Sequence, residues 1–283
     1  MRHTRVDRGR FAVTIVLLAL IACGGSSSDE GPAAGSAPVD TLPPPVIAQL
    51  RSPYVPGDTA GTEALQGFVR LATVPPVDTV VRPTVNTATC GTEFVDRTLQ
   101  VVQGDRVAGA VVWLANPPAG KPLSLSRRYE ITIDRCQLRP RVITVLAGGT
   151  VNIRSTNRLL HRIRLLDART GDTYAELLHN DQGQVVPVQD PLGHAGLIEL
   201  RDDEHAWTRA WIAVFDHPYY AVSGRDGTFR MEHVPPGRYA LHTWHERFGV
   251  TVDSITIVAG ADTSFEVNLG TPGVEPPVSD SLP

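Results

Sequence analysis

Residues 141–154 read RVITVLAGGTVNIR, and this stretch decides the fold class. Valine, isoleucine and threonine dominate both halves, and these β-branched residues favour strands over helices. The Gly148-Gly149 pair between the halves supplies the backbone freedom that a tight turn needs. The stretch therefore predicts two strands joined as a hairpin.

Short apolar runs of the same kind extend on both sides of this stretch. They lie at 65–71, 99–102, 110–114 and 129–133 upstream and at 211–215, 227–231, 239–244, 254–258 and 264–269 downstream. Turn residues separate the runs and no long helical periodicity occurs, which is typical of β-sandwiches. Residues 179–195 carry Asp, Gln, Gly and Pro and are predicted to form a long loop that exposes His179 and His194.

The amino terminus has the layout of a signal peptide. Four arginines occur among the first ten residues, and a short apolar run from Phe11 to Leu20 follows them. The run leads into Leu20-Ile21-Ala22-Cys23, which resembles the bacterial lipobox. That resemblance implies cleavage before Cys23 and a lipid on its thiol. The alternative is an ordinary secreted protein in which Cys23 lies near an unrelated cleavage site.

The address that follows is the cell envelope. We expect a lipid-anchored protein that is attached to the membrane through Cys23. Its body would face the periplasm or the cell surface. Gly24 rather than Asp follows the cysteine, which favours the outer over the inner membrane. Residues 23–64 are rich in Gly, Ser and Pro and are predicted to form a flexible tether, and residues 271–283 a disordered tail.

Composition limits the partners. The formal net charge is -4, so no large positive field favours nucleic acid as a partner. Apolar residues make up 42% and charged residues 20% of the chain, as in globular proteins.

Two further cysteines remain for the body of the protein. Outside the cytoplasm, Cys90 and Cys136 are expected to form a disulfide. The alternative is a metal thiolate, which neither residue supports by a Cys-x-x-Cys or Cys-x-x-His spacing.

Three motifs occur in fixed order near the carboxyl end. They are Asp226-Gly227-Thr228-Phe229, Val234-Pro235-Pro236-Gly237-Arg238-Tyr239 and Trp244-His245-Glu246. Together they resemble the carboxypeptidase regulatory-like domain over about 60 residues, a plausible module size. The resemblance implies a small transthyretin-like β-sandwich without catalytic machinery.

A second set of motifs lies upstream: Cys90-Gly91, AVVWL at 110–114, Gly149-Thr150-Val151 and Leu160-His161. This set resembles the cupredoxin-like domains of periplasmic plastocyanin-like and methylamine-utilisation-type proteins. The resemblance implies a copper site whose first ligand lies at His161. A Cys-x-x-His-x-x-Met pattern would supply the remaining ligands.

The chain departs from that ligand pattern at two positions. His205 is in register, but Asp202 stands at the cysteine position and Thr208 at the methionine position. Blue copper requires the thiolate, so a type 1 electron-transfer site is not expected. Two interpretations stay open: His161, His205 and Asp202 bind Cu(II) or another divalent ion, or the histidines merely form hydrogen bonds and no cofactor binds.

Signatures of catalysis are missing from the sequence. His245-Glu246 does not continue into a His-Glu-x-x-His motif because Gly249 stands at the last position. No Gly-x-Ser-x-Gly elbow and no phosphate-binding glycine loop occur either. We therefore expect a protein that is not an enzyme.

Large aromatic residues gather around the junction of the two motif sets: Trp207, Trp211, Tyr219, Tyr220 and Trp244. We expect them to pack between two sandwiches, with stacking on a glycan or peptide as the alternative.

The combined prediction is an all-β protein of two packed β-sandwiches behind a disordered tether. The segments are a signal peptide at 1–22, an anchor and linker at 23–64, a cupredoxin-like sandwich at 65–210, a carboxypeptidase regulatory-like sandwich at 211–270 and a tail at 271–283. The predicted function is non-catalytic binding or scaffolding, with an envelope protein or a glycan as partner. The alternatives are metal binding through His161 and His205, and an accessory role in polysaccharide binding.

Overall fold

The computed structural model describes residues 54–59, 63–74, 80–115, 117, 119–124, 128–188 and 190–270. The predicted signal peptide, Cys23, most of the tether and the tail lie outside these residues. Within the described part, no helix combines the length and the apolar character that crossing a bilayer requires.

The regular secondary structure of the described residues is almost entirely strand, so the predicted all-β sandwich class is confirmed. The strands are β1 (Glu63–Leu71), β2 (Val80–Val81), β3 (Phe94–Val95), β4 (Gln100–Val102), β5 (Arg106–Ala108), β6 (Val111–Leu114), β7 (Arg128–Asp134), β8 (Gln137–Arg139), β9 (Val142–Leu146), β10 (Thr150–Ser155), β11 (His161–Asp167), β12 (Thr173–His179), β13 (Val185–Val188), β14 (Gly196–Asp202), β15 (Arg209–Phe215), β16 (Tyr220–Val222), β17 (Thr228–Val234), β18 (Gly237–His245), β19 (Gly249–Ile257) and β20 (Thr263–Leu269). The helical elements of the described residues are α1 (Thr87–Cys90) and a 3-10 turn (Asp190–Gly193).

One sandwich, here called the terminal sandwich, combines strands from both ends of the described chain. Its first sheet has the order β17-β1-β5-β4, with β20 paired in parallel to β1. Its second sheet has the order β16-β6-β18-β19. Apolar side chains from both sheets form one core, with Leu65 and Val69 of β1 fully buried against strands of the opposite sheet.

The other sandwich, here called the inserted sandwich, comprises β7 to β15. Its sheets have the orders β13-β10-β7-β8 and β12-β11-β14-β15-β9. Isoleucine, leucine and valine from both sheets form a second core, which includes Ile153, Ile163 and Ile212.

Two strands are buried on both faces, and they join the sandwiches. In β6, Val112 and Leu114 enter the terminal core, whereas Val111 and Trp113 enter a third cluster between the sandwiches. The side chains of β15 alternate in the same way, with Ile212 and Val214 in the inserted core and Ala213 and Phe215 in that third cluster. Since side chains alternate along a strand, burial of both faces demands an uninterrupted apolar run, and both strands have one.

The aromatic prediction is confirmed for three of its residues. Trp211 and Trp244 meet edge to face with ring centroids 5.0 Å apart, and both belong to the cluster between the sandwiches together with Tyr220. Tyr219 lies in the terminal core instead. Trp207 is partly buried and donates its indole N–H to the Cys136 carbonyl at 3.2 Å.

The strand pairing departs from the predicted boundary at residue 210. The strand β1 lies between β17 and β20, so the N-terminal strands complete the C-terminal sandwich. The strand β15, predicted to begin the second sandwich, pairs with β14 and β9 of the inserted one. Local motifs identify strands but not partners that lie more than 150 residues away.

The predicted hairpin at residues 141–154 is also wrong. The strand β9 pairs with β15 in one sheet, whereas β10 pairs with β7 and β13 in the other. The Gly148-Gly149 turn, with φ of 81° at Gly148, therefore carries the chain across the core. Val145 and Val151 bury their side chains in that core, an alternation that a hairpin would produce equally well.

Several described elements lie where no strand was predicted, among them β11, β12 and β14. The strand β5 forms a hairpin with β4 where a connection was expected. The predicted loop at 179–195 contains the strand β13 and the 3-10 turn. His194 is exposed as predicted, but His179 ends β12 and is fully buried.

Candidate metal centre

Three neighbouring strands bring polar side chains to one end of the inserted core. His161 begins β11 and pairs with His179, the last residue of β12. Asp202 ends β14 on the other side of β11 and pairs with Ile163. Residues two apart on a strand, and residues directly opposite in a pair, share one face of the sheet. All four side chains therefore share the core face, and each is at most 1% exposed.

His205 reaches the same point from the loop after β14. The Asp202 carboxylate organises this loop, since its Oδ1 accepts the backbone N–H of Glu204 at 3.1 Å and that of Arg162 at 3.2 Å. The carbonyl of His205 accepts the N–H of Thr208 at 3.0 Å. Aspartate commonly starts such turns because its side chain satisfies nearby backbone donors. The turn thus places the buried imidazole of His205 beside the carboxylate of Asp202, the residue at which the turn begins.

One carboxylate oxygen lies between the two imidazoles. Oδ2 of Asp202 is 2.7 Å from Nδ1 of His161 and 2.8 Å from Nδ1 of His205, and the ring centroids are 4.6 Å apart. Burial alone would raise the pKa of Asp202, but the hydrogen bonds from both histidines outweigh it and lower that pKa to about 2. The carboxylate is therefore ionised at neutral pH.

The outer nitrogens of both rings are also held. Nε2 of His161 lies 3.1 Å from Oδ1 of Asn157, an oxygen that also accepts the N–H of Leu159 at 2.8 Å. Nε2 of His161 is therefore the donor in its hydrogen bond. Nε2 of His205 lies 3.2 Å from the side-chain amide of Asn86. Nε2 of His205 accepts this hydrogen bond, because its partner is the amide nitrogen of Asn86. Metal-binding histidines usually donate the N–H of the other ring nitrogen, as His161 does here.

A disulfide fastens the segment that carries Asn86. Cys90 and Cys136 are bonded, with Cα atoms 5.1 Å apart, so the predicted disulfide is confirmed. Asn86 precedes α1 in a left-handed conformation, with φ of 53°, and α1 ends at Cys90. The two sulfurs lie within 4.8 Å of a nitrogen of His205. The disulfide therefore holds the segment from Asn86 to Cys90, here called the cover of the site, against His205. Its two sulfurs are bonded to each other and are not free to act as thiolate ligands.

The donor set does not suit type 1 copper. Asp202 provides a carboxylate where the cupredoxin resemblance implies a thiolate. Thr208, at the expected thioether position, uses its hydroxyl to accept the backbone N–H of Leu138 at 2.8 Å. Two imidazoles and one carboxylate suit Zn(II) or Cu(II) bound without thiolate. His161, Asp202 and His205 thus lie together, and their donor set differs from that of blue copper.

His179 was predicted to be exposed in a loop, and its position beside these residues was not predicted. Its Nε2 donates to the carbonyl of Ile153 in the opposite sheet at 3.0 Å, while its Nδ1 has no hydrogen-bond partner among the described residues. Burial lowers the pKa of His179 below its ordinary value, offset only in part by that hydrogen bond. Ala175, Leu177 and His179 alternate toward one face of β12, and this weak period of two was the available signal.

A second candidate site is a cleft of about 340 Å³ lined by both sandwiches. Trp207 and Phe94 contribute aromatic surface, and Arg97 and Arg225 are exposed cations in its lining. The carboxylate of Glu246 lies in its wall and accepts hydrogen bonds from Arg141 and Trp211. The neighbouring His245 is 2% exposed, and burial together with the charges of Arg141 and Arg247 lowers its pKa to about 4.

Comparison with known families gives one match. The family model described as polysaccharide lyase family 4, domain II, matches residues 186–265. This segment runs from β13 into β20 and so includes strands of both sandwiches. No curated protein matches the chain.

Solved structures of copper proteins resemble parts of the chain at low identity. Amicyanin from Paracoccus versutus is 16% identical over 34% of this chain and 92% of its own, with a TM-score of 0.28. A single-residue mutant of amicyanin in its Cu(I) form is 16% identical over 38% of this chain and 99% of its own, with a TM-score of 0.27. The copper-containing nitrite reductase from Thermus scotoductus is 14% identical over 36% of this chain and 24% of its own, also with a TM-score of 0.27.

Proposed function

We propose that this protein is a non-catalytic binding protein whose inserted sandwich holds a divalent transition-metal ion at His161, Asp202 and His205. One observation carries the proposal: two fully buried imidazoles place their Nδ1 atoms 2.7 and 2.8 Å from the same carboxylate oxygen. Imidazole nitrogen and carboxylate oxygen are ordinary ligands of Zn(II) and Cu(II).

Metal entry requires only a small adjustment of these side chains. A tetrahedral ion with bonds of about 2.0–2.1 Å separates its ligand atoms by about 3.3 Å. The present separations of 2.7 and 2.8 Å must therefore open by about half an ångström each. The ion would replace the proton on each Nδ1. His161 keeps its Nε2 proton, and His205 would keep one on Nε2 once the Asn86 amide turns its oxygen toward that nitrogen. The ionised Asp202 would balance part of the charge of the ion.

The competing interpretation is a hydrogen-bonded network that takes no metal. It accounts for the same short distances, because a buried carboxylate with two N–H donors is well satisfied. Titration separates the two interpretations. Full-length protein in detergent would be freed of metal with a chelator and titrated with Zn(II) and with Cu(II), with bound metal measured after desalting.

We expect one ion per chain, lost in His161→Gln and in His205→Gln. The matched control is His194→Gln, which changes an exposed histidine of the same sandwich and should leave the stoichiometry at one. Substoichiometric binding by the unmodified protein, or binding that survives both substitutions, would contradict the proposal and leave scaffolding of an envelope partner as the predicted role.

The location proposed for this function is the cell envelope, with Cys23 as the lipid-bearing residue. The support is the basic start, the short apolar run and the Leu-Ile-Ala-Cys sequence. Mass spectrometry of the mature N-terminal peptide should find acyl chains on Cys23 and none in the Cys23→Ser variant. An N-terminal peptide that begins elsewhere and carries no lipid would rule out the anchor.

A second candidate function is polysaccharide binding in the cleft between the sandwiches. It is supported by the family match at residues 186–265 and by the partly exposed Trp207 beside Arg97 and Arg225 in the cleft. Aromatic rings and arginines are common in carbohydrate and anion recognition. Affinity electrophoresis in gels containing neutral or acidic polysaccharide should retard the protein, and Trp207→Ala should abolish retardation. Tyr174→Ala, at an exposed ring outside the cleft, is the control.

A further inference from the structure

His179 occupies the position next to the proposed metal ligands. It ends the edge strand β12 and lies directly opposite His161 in the antiparallel pair. Side chains of directly opposed residues share one face, with Cβ atoms about 4.5–5.5 Å apart. The sheet therefore presents His179 and His161 side by side, with Asp202 on β14 diagonal to His161 and directly opposite Ile163.

The hydrogen bonding of His179 is that of a metal-binding histidine without its metal bond. Nε2 donates to the backbone carbonyl of Ile153 at 3.0 Å, which fixes the tautomer and leaves the lone pair on Nδ1. That Nδ1 is buried and has no partner among the residues described. A buried acceptor without a partner is costly, and native proteins contain few of them. Metal-ligating histidines commonly donate their other N–H to a backbone carbonyl in this way.

Neighbouring groups do not satisfy this nitrogen in another way. Nδ1 of His161 and Nδ1 of His205 both face Asp202, whose Oδ2 serves the two of them. The second carboxylate oxygen of Asp202 accepts two backbone N–H groups. The side chains that surround β12 on the core side belong to the apolar inserted core, including Ile163. Within the described part of the chain, the lone pair on Nδ1 of His179 thus has no hydrogen-bond donor and is available to bind a metal ion beside the three proposed ligands.

We infer that His179 is a fourth ligand, completing a three-imidazole, one-carboxylate site with His161, Asp202 and His205. This inference rests on the proposed function, because it assigns one more ligand to the same ion. Four protein ligands without an open position are typical of structural zinc sites, whereas catalytic sites keep a position for water or substrate. The site would then hold Zn(II), or Cu(II) in its place, as a fixed component of the inserted sandwich.

Binding by His179 requires a movement of its ring toward the ion. Ligand atoms of the other three residues already lie within 4.8 Å of one another, and His179 lies outside that group. Among the described strands, β12 is an edge strand that pairs only with β11, so no second strand in this sheet holds its end in place. Closure of the gap would give the buried Nδ1 the partner that it lacks among the described residues.

Pulsed electron paramagnetic resonance tests this inference on the unmodified protein. Full-length protein freed of metal would be loaded with one equivalent of Cu(II), and the remote nitrogens of coordinated imidazoles would be counted from the echo modulation. Three imidazoles are expected. Two imidazoles in a protein that binds one ion would overturn the fourth ligand while leaving the proposed function intact. Failure of the protein to bind any ion would overturn both.

Variants give a second, independent measurement. In His179→Gln the imidazole count should fall to two and the dissociation constant for Zn(II), from competition with a chromophoric chelator, should rise at least tenfold. His194→Gln should keep three imidazoles and an unchanged constant. An unchanged count and affinity in a folded His179→Gln protein would overturn the inference. The count on the unmodified protein decides the matter if His179→Gln does not fold.

Discussion

Arg141 and Glu246 join the two sandwiches through a paired contact. Arg141 precedes β9 of the inserted sandwich, Glu246 follows β18 of the terminal one, and Nη2 of the arginine lies 2.8 Å from Oε2 of the glutamate. The glutamate side chain is 6% exposed and also accepts the indole N–H of Trp211 at 3.0 Å. Paired arginine–carboxylate hydrogen bonds fix the relative orientation of the two groups and also stabilise their contact.

We therefore expect Glu246→Gln to destabilise the protein by about 1–3 kcal/mol, since the neutral amide leaves the guanidinium of Arg141 partly buried without its counter-charge. Urea unfolding monitored by tryptophan fluorescence measures this, because Trp211 contacts the substituted group. Glu232→Gln, in the exposed pair with Arg230, is the control and should cost less than about 1 kcal/mol. Equal effects of the two substitutions would show that the contact does not stabilise the interface.

His245 makes stability depend on pH. Burial, together with the charges of Arg141 and Arg247, lowers its pKa from 6.5 to about 4 in the folded protein. Between these values the unfolded chain binds a proton that the folded chain does not, so the free energy of unfolding falls as the pH decreases from 6.5 to 4. The loss amounts to at most about 3 kcal/mol.

The check is a comparison of unfolding free energies at pH 7 and pH 4.5. Unmodified protein should lose stability between these values, and His245→Gln, which cannot titrate, should lose less by about 2 kcal/mol. The lowered pKa of Asp202, about 2, places its own contribution below this window. Parallel pH profiles of the two proteins would mean that His245 is not the titrating group.

The disulfide stabilises the cover of the candidate metal centre. Cys90 and Cys136 are 46 residues apart, and closing a loop of this length is worth about 3–4 kcal/mol. The double variant Cys90→Ser, Cys136→Ser should lose that amount in urea unfolding. Because Asn86 is fastened through Cys90, its contact with His205 should loosen, and the metal dissociation constant should rise. Cys23→Ser, which leaves the pair intact, should change neither quantity.

The sequence predicted the polar centre better than the arrangement of sheets. His161, Asp202 and His205 could be brought together because the motif resemblance fixes their order and spacing along one sandwich. Cys90 and Cys136 could be paired because no other cysteine competes for them in the body of the chain. These inferences rest on residue identity, which the sequence states directly.

Strand partners are a different kind of information. Leu65 and Val69 show a clear alternation, but nothing nearby indicates that β1 lies between β17 and β20. The run at residues 141–154 fits a hairpin and a crossing between sheets equally well, since both bury alternate residues. His179 was missed for a related reason: β12 is an edge strand with exposed Tyr174 and Leu178, so its pattern is weak.

Asp202 should link metal binding to folding stability. Asp202 is 1% exposed and one of its oxygens contacts two buried imidazoles, so Asp202→Asn weakens both of these hydrogen bonds. We expect the metal-free variant to lose about 1–3 kcal/mol, the cost of leaving buried hydrogen-bonding groups imperfectly paired. Zinc should raise the unfolding temperature of the unmodified protein, because a ligand that binds only the folded state stabilises it by mass action. The same zinc concentration should not raise the unfolding temperature of Asp202→Asn.

The matched control is Asp203→Asn, one residue away in an exposed pair with Arg164, which should retain both the stability and the response to zinc. If Asp202→Asn also retained the response, the carboxylate would not be a ligand, and Asp202 would serve only to orient the two histidines.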